Sequence, residues 1–160
     1  MAAIKKTNAA RLLDKLGIPY SLNSYPVDLD DLSATHVAVS LGVDPSCVFK
    51  TLVIKGNPNG IAMAVIPGNA ELSLKKAAAV FGNKNAEMVP LKDVLPLTGY
   101  MRGGCSPVAP KKPYPVCIHE SAKDFDTIFV SAGQRGLQFV IKPDDLARAV
   151  NAQFADIVME

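Results

Sequence analysis

Apolar positions in this chain fall into short runs of two kinds. Some recur every three to four residues, as on one face of a helix; others alternate or run on for five to eight, as in strands. Leu12, Leu13 and Leu16 make an apolar stripe over 8–16, with Thr7 or Asn8 able to cap the start and Gly17 to end it. That predicts a short helix. Residues 18–25 read as extended, with Tyr20, Leu22 and Tyr25 in the run. A second helix fits 33–41, capped by Ser33 and stopped by Gly42. Val48 to Lys55 and Ile61 to Ile66 read as strands, and Asn57-Pro58-Asn59-Gly60 between them predicts a hairpin turn.

An Ala- and Lys-rich helix is expected over 73–81, ended by Gly82, and a short one near 91–95. Residues 86–89 and 115–119 read as strands, separated by that short helix and a long loop. Thr127 to Ser131 and Leu137 to Ile141 form a further strand pair around a Gly-rich turn. Pro143 opens the last helix, with Asp144 and Asp145 suited to its first turn. Strands mixed with helices and joined by tight turns exclude a simple alternating doubly wound sheet. They predict an α+β domain with a mixed, largely antiparallel sheet.

Composition narrows the classes. The 160 residues suit one domain, 1–160, with no linker or repeat, and 49% of them are apolar. Apolar stretches are interrupted well short of the ~18 residues that span a bilayer. Lys5, Lys6, Arg11, Asp14 and Lys15 near the start fit no signal peptide. Cys47, Cys105 and Cys117 contain no CxxC pair, so neither a disulfide framework nor a zinc site is expected, and a cytoplasmic location is. His36 and His119 join no motif with them. The net charge of +2 is too small for broad nucleic-acid contact, so RNA binding would need a local patch. Lys75, Lys76 and Lys84 are one candidate, Lys111 and Lys112 another; either is also compatible with a solvated face.

Lys50 is the most informative residue. In a strand it shares a face with Val48, Leu52 and Ile54, where an ammonium is out of place. Such a group either snorkels outward or serves a site. The run Gly99-Tyr100-Met101-Arg102-Gly103-Gly104-Cys105-Ser106-Pro107 cannot be regular structure. Its glycines permit backbone N–H groups to converge on an oxyanion or phosphate, as well as an ordinary tight loop. Arg135, in Ser131-Ala132-Gly133-Gln134-Arg135-Gly136, suits a phosphate or merely a hairpin tip. Cys105 has no histidine near it in sequence, which favours an inert thiol over a nucleophile.

These features occur together and in order in a known family. Val48-Phe49-Lys50-Thr51-Leu52, Leu74-Lys75-Lys76, Thr98-Gly99-Tyr100 with Gly103 to Pro107, Ile128 to Ser131, Arg135-Gly136-Leu137 and Phe154 to Ile157 resemble the YbaK/EbsC family over residues 7–158. The resemblance implies a barrel-like mixed sheet flanked by helices, of the YbaK/aminoacyl-tRNA synthetase-associated type. It also implies removal of cysteine, and less strictly other small amino acids, from tRNA, with Cys-tRNA(Pro) the usual target and Cys-tRNA(Cys) a further one. The aminoacylated tRNA 3′ end and prolyl-tRNA synthetase are the implied partners, with no membrane, metal or cofactor. Implied catalytic positions are Lys50, Gly103, Gly104 and Ser106; implied substrate-binding positions are Tyr25, Thr51, Pro107, Ser131, Gly133, Arg135 and Gln138. In the family's mechanism the substrate's own cysteine thiol attacks its ester and leaves as a thiolactone. A chain without a nucleophile–base pair suits that chemistry, which needs only positioning and charge stabilisation.

The chain departs from the family pattern at three places. Gln138 replaces an acidic residue, Ala132-Gly133 replaces Gly-Gly, and Cys105 replaces a bulkier apolar residue. The first bears on amino-group recognition and substrate choice. Two other readings remain: a deacylase for Ala-tRNA(Pro), where water must attack, and a non-catalytic tRNA- or synthetase-binding module.

Overall fold

The computed structural model describes residues 6–160, so Lys5 of the opening segment lies outside the described residues. Helix α1 spans Asn8–Leu16, with Thr7 accepting the Ala10 N–H at its start and Gly17 in the left-handed region at its end. Strand β1 (Ser21–Ser24) and helix α2 (Ala34–Leu41) follow; Ser33 caps α2 by accepting from His36 N–H. Strands β2 (Phe49–Asn57) and β3 (Gly60–Pro67) form the expected hairpin. Then come α3 (Leu74–Val80), β4 (Asn85–Met88), α4 (Leu91–Thr98) and β5 (Val116–His119). Strands β6 (Ile128–Ser131) and β7 (Leu137–Ile141) precede α5 (Pro143–Val150) and β8 (Gln153–Ala155).

The strands make two sheets, β1-β7-β6 and β4-β2-β3-β5-β8. Four of the pairings are antiparallel, and β3-β5 and β5-β8 are parallel, the mixed and largely antiparallel α+β arrangement expected. The barrel-like character takes the form of two facing sheets joined at one corner by a parallel bridge between Val48 and Phe129. Strand β8 and the short 3-10 turns at Pro45–Cys47 and Glu120–Asp124 were not expected from the pattern. A three-residue strand carries too little alternation to register.

Period-two alternation decides which residues face which layer. Phe49, Val53, Met63, Val65, Val116 and Ile118 point from the large sheet toward Val130, Phe139 and Ile141 of the small one, with Leu13 of α1 and Leu146 of α5 closing the core. Each such large side chain contributes about 1.5–3 kcal/mol when fully buried. Leu52, Ile54, Ala62, Ala64, Ile66 and Cys117 use the other face, against Ala77 of α3 and Ile157. Lys50 belongs to that second face by register, opposite Ile66. Among the described residues no helix is long and apolar enough to cross a membrane.

Candidate functional site

A cavity of about 230 Å³ opens along the first half of β2. Its position follows from incomplete pairing. β4 pairs only with Ile54–Asn57, and the Val89 N–H reaches the Val53 carbonyl at 3.0 Å. Alternate residues of a strand direct their peptide groups to the same edge. Thr51 therefore presents its N–H and C=O to an edge that β4 does not reach. Lys50, Thr51, Gly103, Ser131 and Gln138 line this cavity, so strand β2 meets both Gly-rich loops there. Leu32, Val37, Leu52 and Val94 supply apolar wall.

Lys50 is half-buried, and its Nζ donates to the Gly68 carbonyl at 3.3 Å. Burial holds its pKa below the ordinary lysine value, while the charge of Glu71 works the other way. Two of the lining residues carry a buried side-chain oxygen without a partner. Gln138 is 4% exposed and its Oε1 has no hydrogen bond; the Thr51 hydroxyl is likewise unpartnered. Buried polar atoms without partners are uncommon, and each asks for a ligand or water to satisfy it.

The two loops are built against each other. Gly99 ends α4 in the left-handed region, with its N–H on the Leu95 carbonyl at 2.8 Å. Tyr100 then sends its hydroxyl to the carbonyls of Val108 and Ala109 and lays its ring over Gly133. A Cβ at Gly133 would stand 2.9 Å from that ring, at a φ of +98°. A Cβ at Gly104 would stand 3.1 Å from the Arg135 backbone nitrogen. Arg135 Nε donates to the Arg102 carbonyl at 2.7 Å. The glycines thus serve close backbone approach between the loops.

The remaining expected positions are distributed differently. Ser106 is fully buried and its Oγ accepts from the Val108 N–H at 3.2 Å, so its side chain stabilises the loop and does not line the cavity. Pro107 lines a separate groove with Pro110 and Tyr114. Gly104 and Gly133 are not lining residues and join the two loops through the contacts above, and Arg135 adjoins the lining residue Arg102 through its Nε bond. Tyr25 packs against the cluster of Val37, Ala38 and Val48 and is not a lining residue, and its N–H bonds to the Gly136 carbonyl at 3.0 Å. Ser131 does line the cavity, and its Oγ accepts from Gly133 N–H at 3.2 Å.

Cys105 lines the cavity with its thiol pushed up to about 11 by burial, partly offset by the Thr98 hydroxyl. Burial also raises Cys47 and Cys117. Thiols held above their ordinary value are protonated at neutral pH and poor nucleophiles. Sequence reasoning did not find Leu32, which meets Gly103, or Gly68, which receives Lys50. The Pro67-Gly68 step after a strand was the available signal for Gly68; Leu32 offered none.

The aminoacyl-tRNA editing domain family matches residues 32–149. An Enterococcus faecalis protein, EbsC, provisionally named a Cys-tRNA(Pro)/Cys-tRNA(Cys) deacylase, is 47% identical over 96% of this chain and 93% of its own length. The proline–tRNA ligase of Thermosipho melanesiensis is 35% identical over 46% of this chain, which corresponds to 13% of the ligase. A solved structure described as a candidate trans-editing enzyme for prolyl-tRNA synthetase superposes with a TM-score of 0.83 at 24% identity, covering 98% of this chain and all of the other.

Proposed function

The chain belongs to the aminoacyl-tRNA editing domain family, and on that premise we propose that it is a cytoplasmic trans-editing deacylase that clears cysteine from mischarged tRNA(Pro). The observation that carries this reading is the meeting of Lys50, the Gly103 loop and two unpartnered acceptors in one small cavity. The ester of an amino acid on a terminal ribose offers what those groups lack: an α-ammonium to donate to Gln138 Oε1, and a carbonyl whose oxygen gathers charge during attack. Donors fixed in place for that charge accelerate the reaction without reorganising. The identity with EbsC over nearly both full lengths supports cysteine as the amino acid removed. The likeness to part of a proline–tRNA ligase supports prolyl-tRNA synthetase as the source of the error and a working partner.

In the reaction the substrate's side-chain sulfur, as thiolate, attacks its own ester carbonyl carbon. A C–S bond forms, the ester C–O bond breaks, and the ribose oxygen takes up a proton. The cyclic thioester is released and water then opens it. The roles left to the protein are holding the ester folded over its thiol and stabilising the oxyanion, which this reading assigns to Lys50 and the Gly103 loop. Proximity of this kind lowers barriers by about 7 kcal/mol or more. The raised pKa of Cys105 supports the substrate rather than the protein as the source of sulfur.

The test is a panel of tRNA(Pro) charged with Cys, Ala and Ser, and tRNA(Cys) charged with Cys. Cys-tRNA(Pro) should be hydrolysed on the order of a hundredfold or more faster than Ala-tRNA(Pro), since alanine has no sulfur to close the ring. Equal rates for Cys and Ala would mean that water attacks directly and would replace this reading with the Ala-tRNA(Pro) one.

A further inference from the structure

The lip of the cavity carries an unbalanced charge. Arg102 is exposed on the loop and lines the cavity. Arg135 Nε donates to the Arg102 carbonyl at 2.7 Å, which holds the Arg135 guanidinium against the loop that carries Arg102. Lys111 lays its stem along Gly99, 3.4 Å from where a Cβ would stand, and its N–H bonds to the Thr98 carbonyl at 3.0 Å. Among the described residues, none of these three cations has a carboxylate partner, whereas Lys6, Lys76 and Arg148 are each paired. Like charges gathered without counter-charge repel each other and concentrate a polyanion at the surface.

The neighbouring segment has the opposite sign. Leu32, which packs on Gly103, follows Asp28, Asp30 and Asp31. His36 stands 3.6 Å from Asp28 and 3.7 Å from Asp31, which leaves the segment acidic. A phosphate chain entering the cavity is therefore turned away from residues 28–31 and toward Arg102. The other basic cluster is poorly placed. Lys76 is taken up by Asp156 and by the Val158 carbonyl. Lys84 bonds through its N–H to Asn57, at the far end of β2 from Lys50, on the order of 20 Å away at about 3.3 Å per residue.

We infer that the single-stranded 3′ end of tRNA crosses the protein over the Arg102–Arg135–Lys111 lip, with its phosphates on these cations. This rests on the deacylase reading, which puts the esterified ribose in the cavity and so the adjoining phosphodiester on its lip.

The experiment is fluorescence anisotropy of a fluorescein-labelled RNA minihelix with a single-stranded CCA 3′ end, titrated with full-length protein at several salt concentrations. Arg102 and Lys111 are exposed and their side chains hold no hydrogen bond among the described residues, so Arg102→Ala/Lys111→Ala is expected to fold. It should weaken binding about tenfold or more near ~50 mM salt. It should also flatten the slope of log K against log salt by roughly 1.4, about 0.7 per lost phosphate contact on a single strand. Lys75→Ala/Lys84→Ala should bind like the parent protein. Parent-like affinity and slope in the first variant, loss in the second, or no binding by the parent protein would each overturn the assignment. A parent protein that binds as described yet hydrolyses no charged tRNA would remove the deacylase reading and leave this surface in place.

Discussion

The ammonium of Lys50 rests 3.3 Å from the carbonyl oxygen of Gly68, and only a glycine fits at that point. A Cβ on residue 68 would stand 2.7 Å from the Ala34 Cβ and 3.0 Å from the Val48 carbonyl oxygen. The exit of β3 is therefore pressed against α2 by the absence of a side chain, and its carbonyl sets where the lysine ends. Gly68→Ala should cost about 1–3 kcal/mol through overpacking and lower the deacylation rate as Lys50 shifts. Adding Ala34→Gly should restore part of both losses, because it removes the nearer obstacle. Thermal unfolding and single-turnover deacylation of the single and paired variants check this. Unchanged rates in Gly68→Ala would separate the Gly68 contact from the site.

How much of this was legible in the sequence depends on the range of the signal. Helix caps at Thr7 and Ser33 and the β2–β3 hairpin were readable because a cap or turn is a local contract between residues a few positions apart. Lys50 stood out because one charge on an apolar face breaks a period of two. The pairing of the two Gly-rich loops was not readable. It depends on the Tyr100 ring meeting Gly133 and on Gly104 meeting Arg135, each across some thirty residues. The place of Ser106 was not readable either: the motif names the serine, but that its hydroxyl holds the next turn through the Val108 N–H depends on the folded loop. Tyr25 packs on the Val37–Ala38–Val48 cluster, a contact that no local pattern announces.

Cys105 supplies a prediction tied to pH. Its thiol pKa, raised to about 11, keeps it protonated through the neutral range. Alkylation of Cys105 by iodoacetamide should therefore be slow at pH 7–8 and accelerate only as pH approaches about 11. Cys105→Ala should keep most deacylase activity. A loss of ~100-fold or more in a folded variant, the size expected of a catalytic group, would return Cys105 to the role of nucleophile. Linkage has the matching sign: the folded state holds this proton more tightly than the unfolded chain. The resulting stabilisation is fully present below the ordinary thiol value of 9.0 and is lost as pH rises through about 11.

Gln138 separates binding from stability. Its Oε1 is buried without a partner, so the folded protein without substrate carries an unsatisfied acceptor. Gln138→Met keeps the length and removes that acceptor. Thermal stability should hold or rise, because removing an orphaned polar atom relieves a desolvation cost of about 1–3 kcal/mol. The KM for Cys-tRNA(Pro) should rise, since the α-ammonium loses its acceptor. A variant with lower stability and unchanged KM would show that Gln138 is satisfied within the protein and does not address the substrate.

Lys50 carries the strongest prediction. Lys50→Ala should fold and lose deacylation of Cys-tRNA(Pro) by about a hundredfold or more, the scale of one lost electrostatic stabiliser. Lys50→Arg should also be impaired, since a planar fork does not reproduce an ammonium point charge beside the Gly68 carbonyl. Stability should move the other way, and its pH dependence identifies the cause. Burial lowers the folded-state pKa of Lys50 below the ordinary 10.5. Between that lowered value and 10.5 the unfolded chain binds more protons than the folded protein, so this group's contribution to stability rises with pH. Below the lowered value the full cost of holding the charge in a half-buried place is present. Lys50→Met should therefore be at least as stable as the parent protein at pH 7, with any gain shrinking as pH rises toward 10.5. Denaturant unfolding at several pH values, beside deacylation by the same preparations, measures both. A Lys50→Ala protein that is well folded and fully active would leave the lysine as a surface group that merely reaches past its strand, and the cavity would need another source of positive charge.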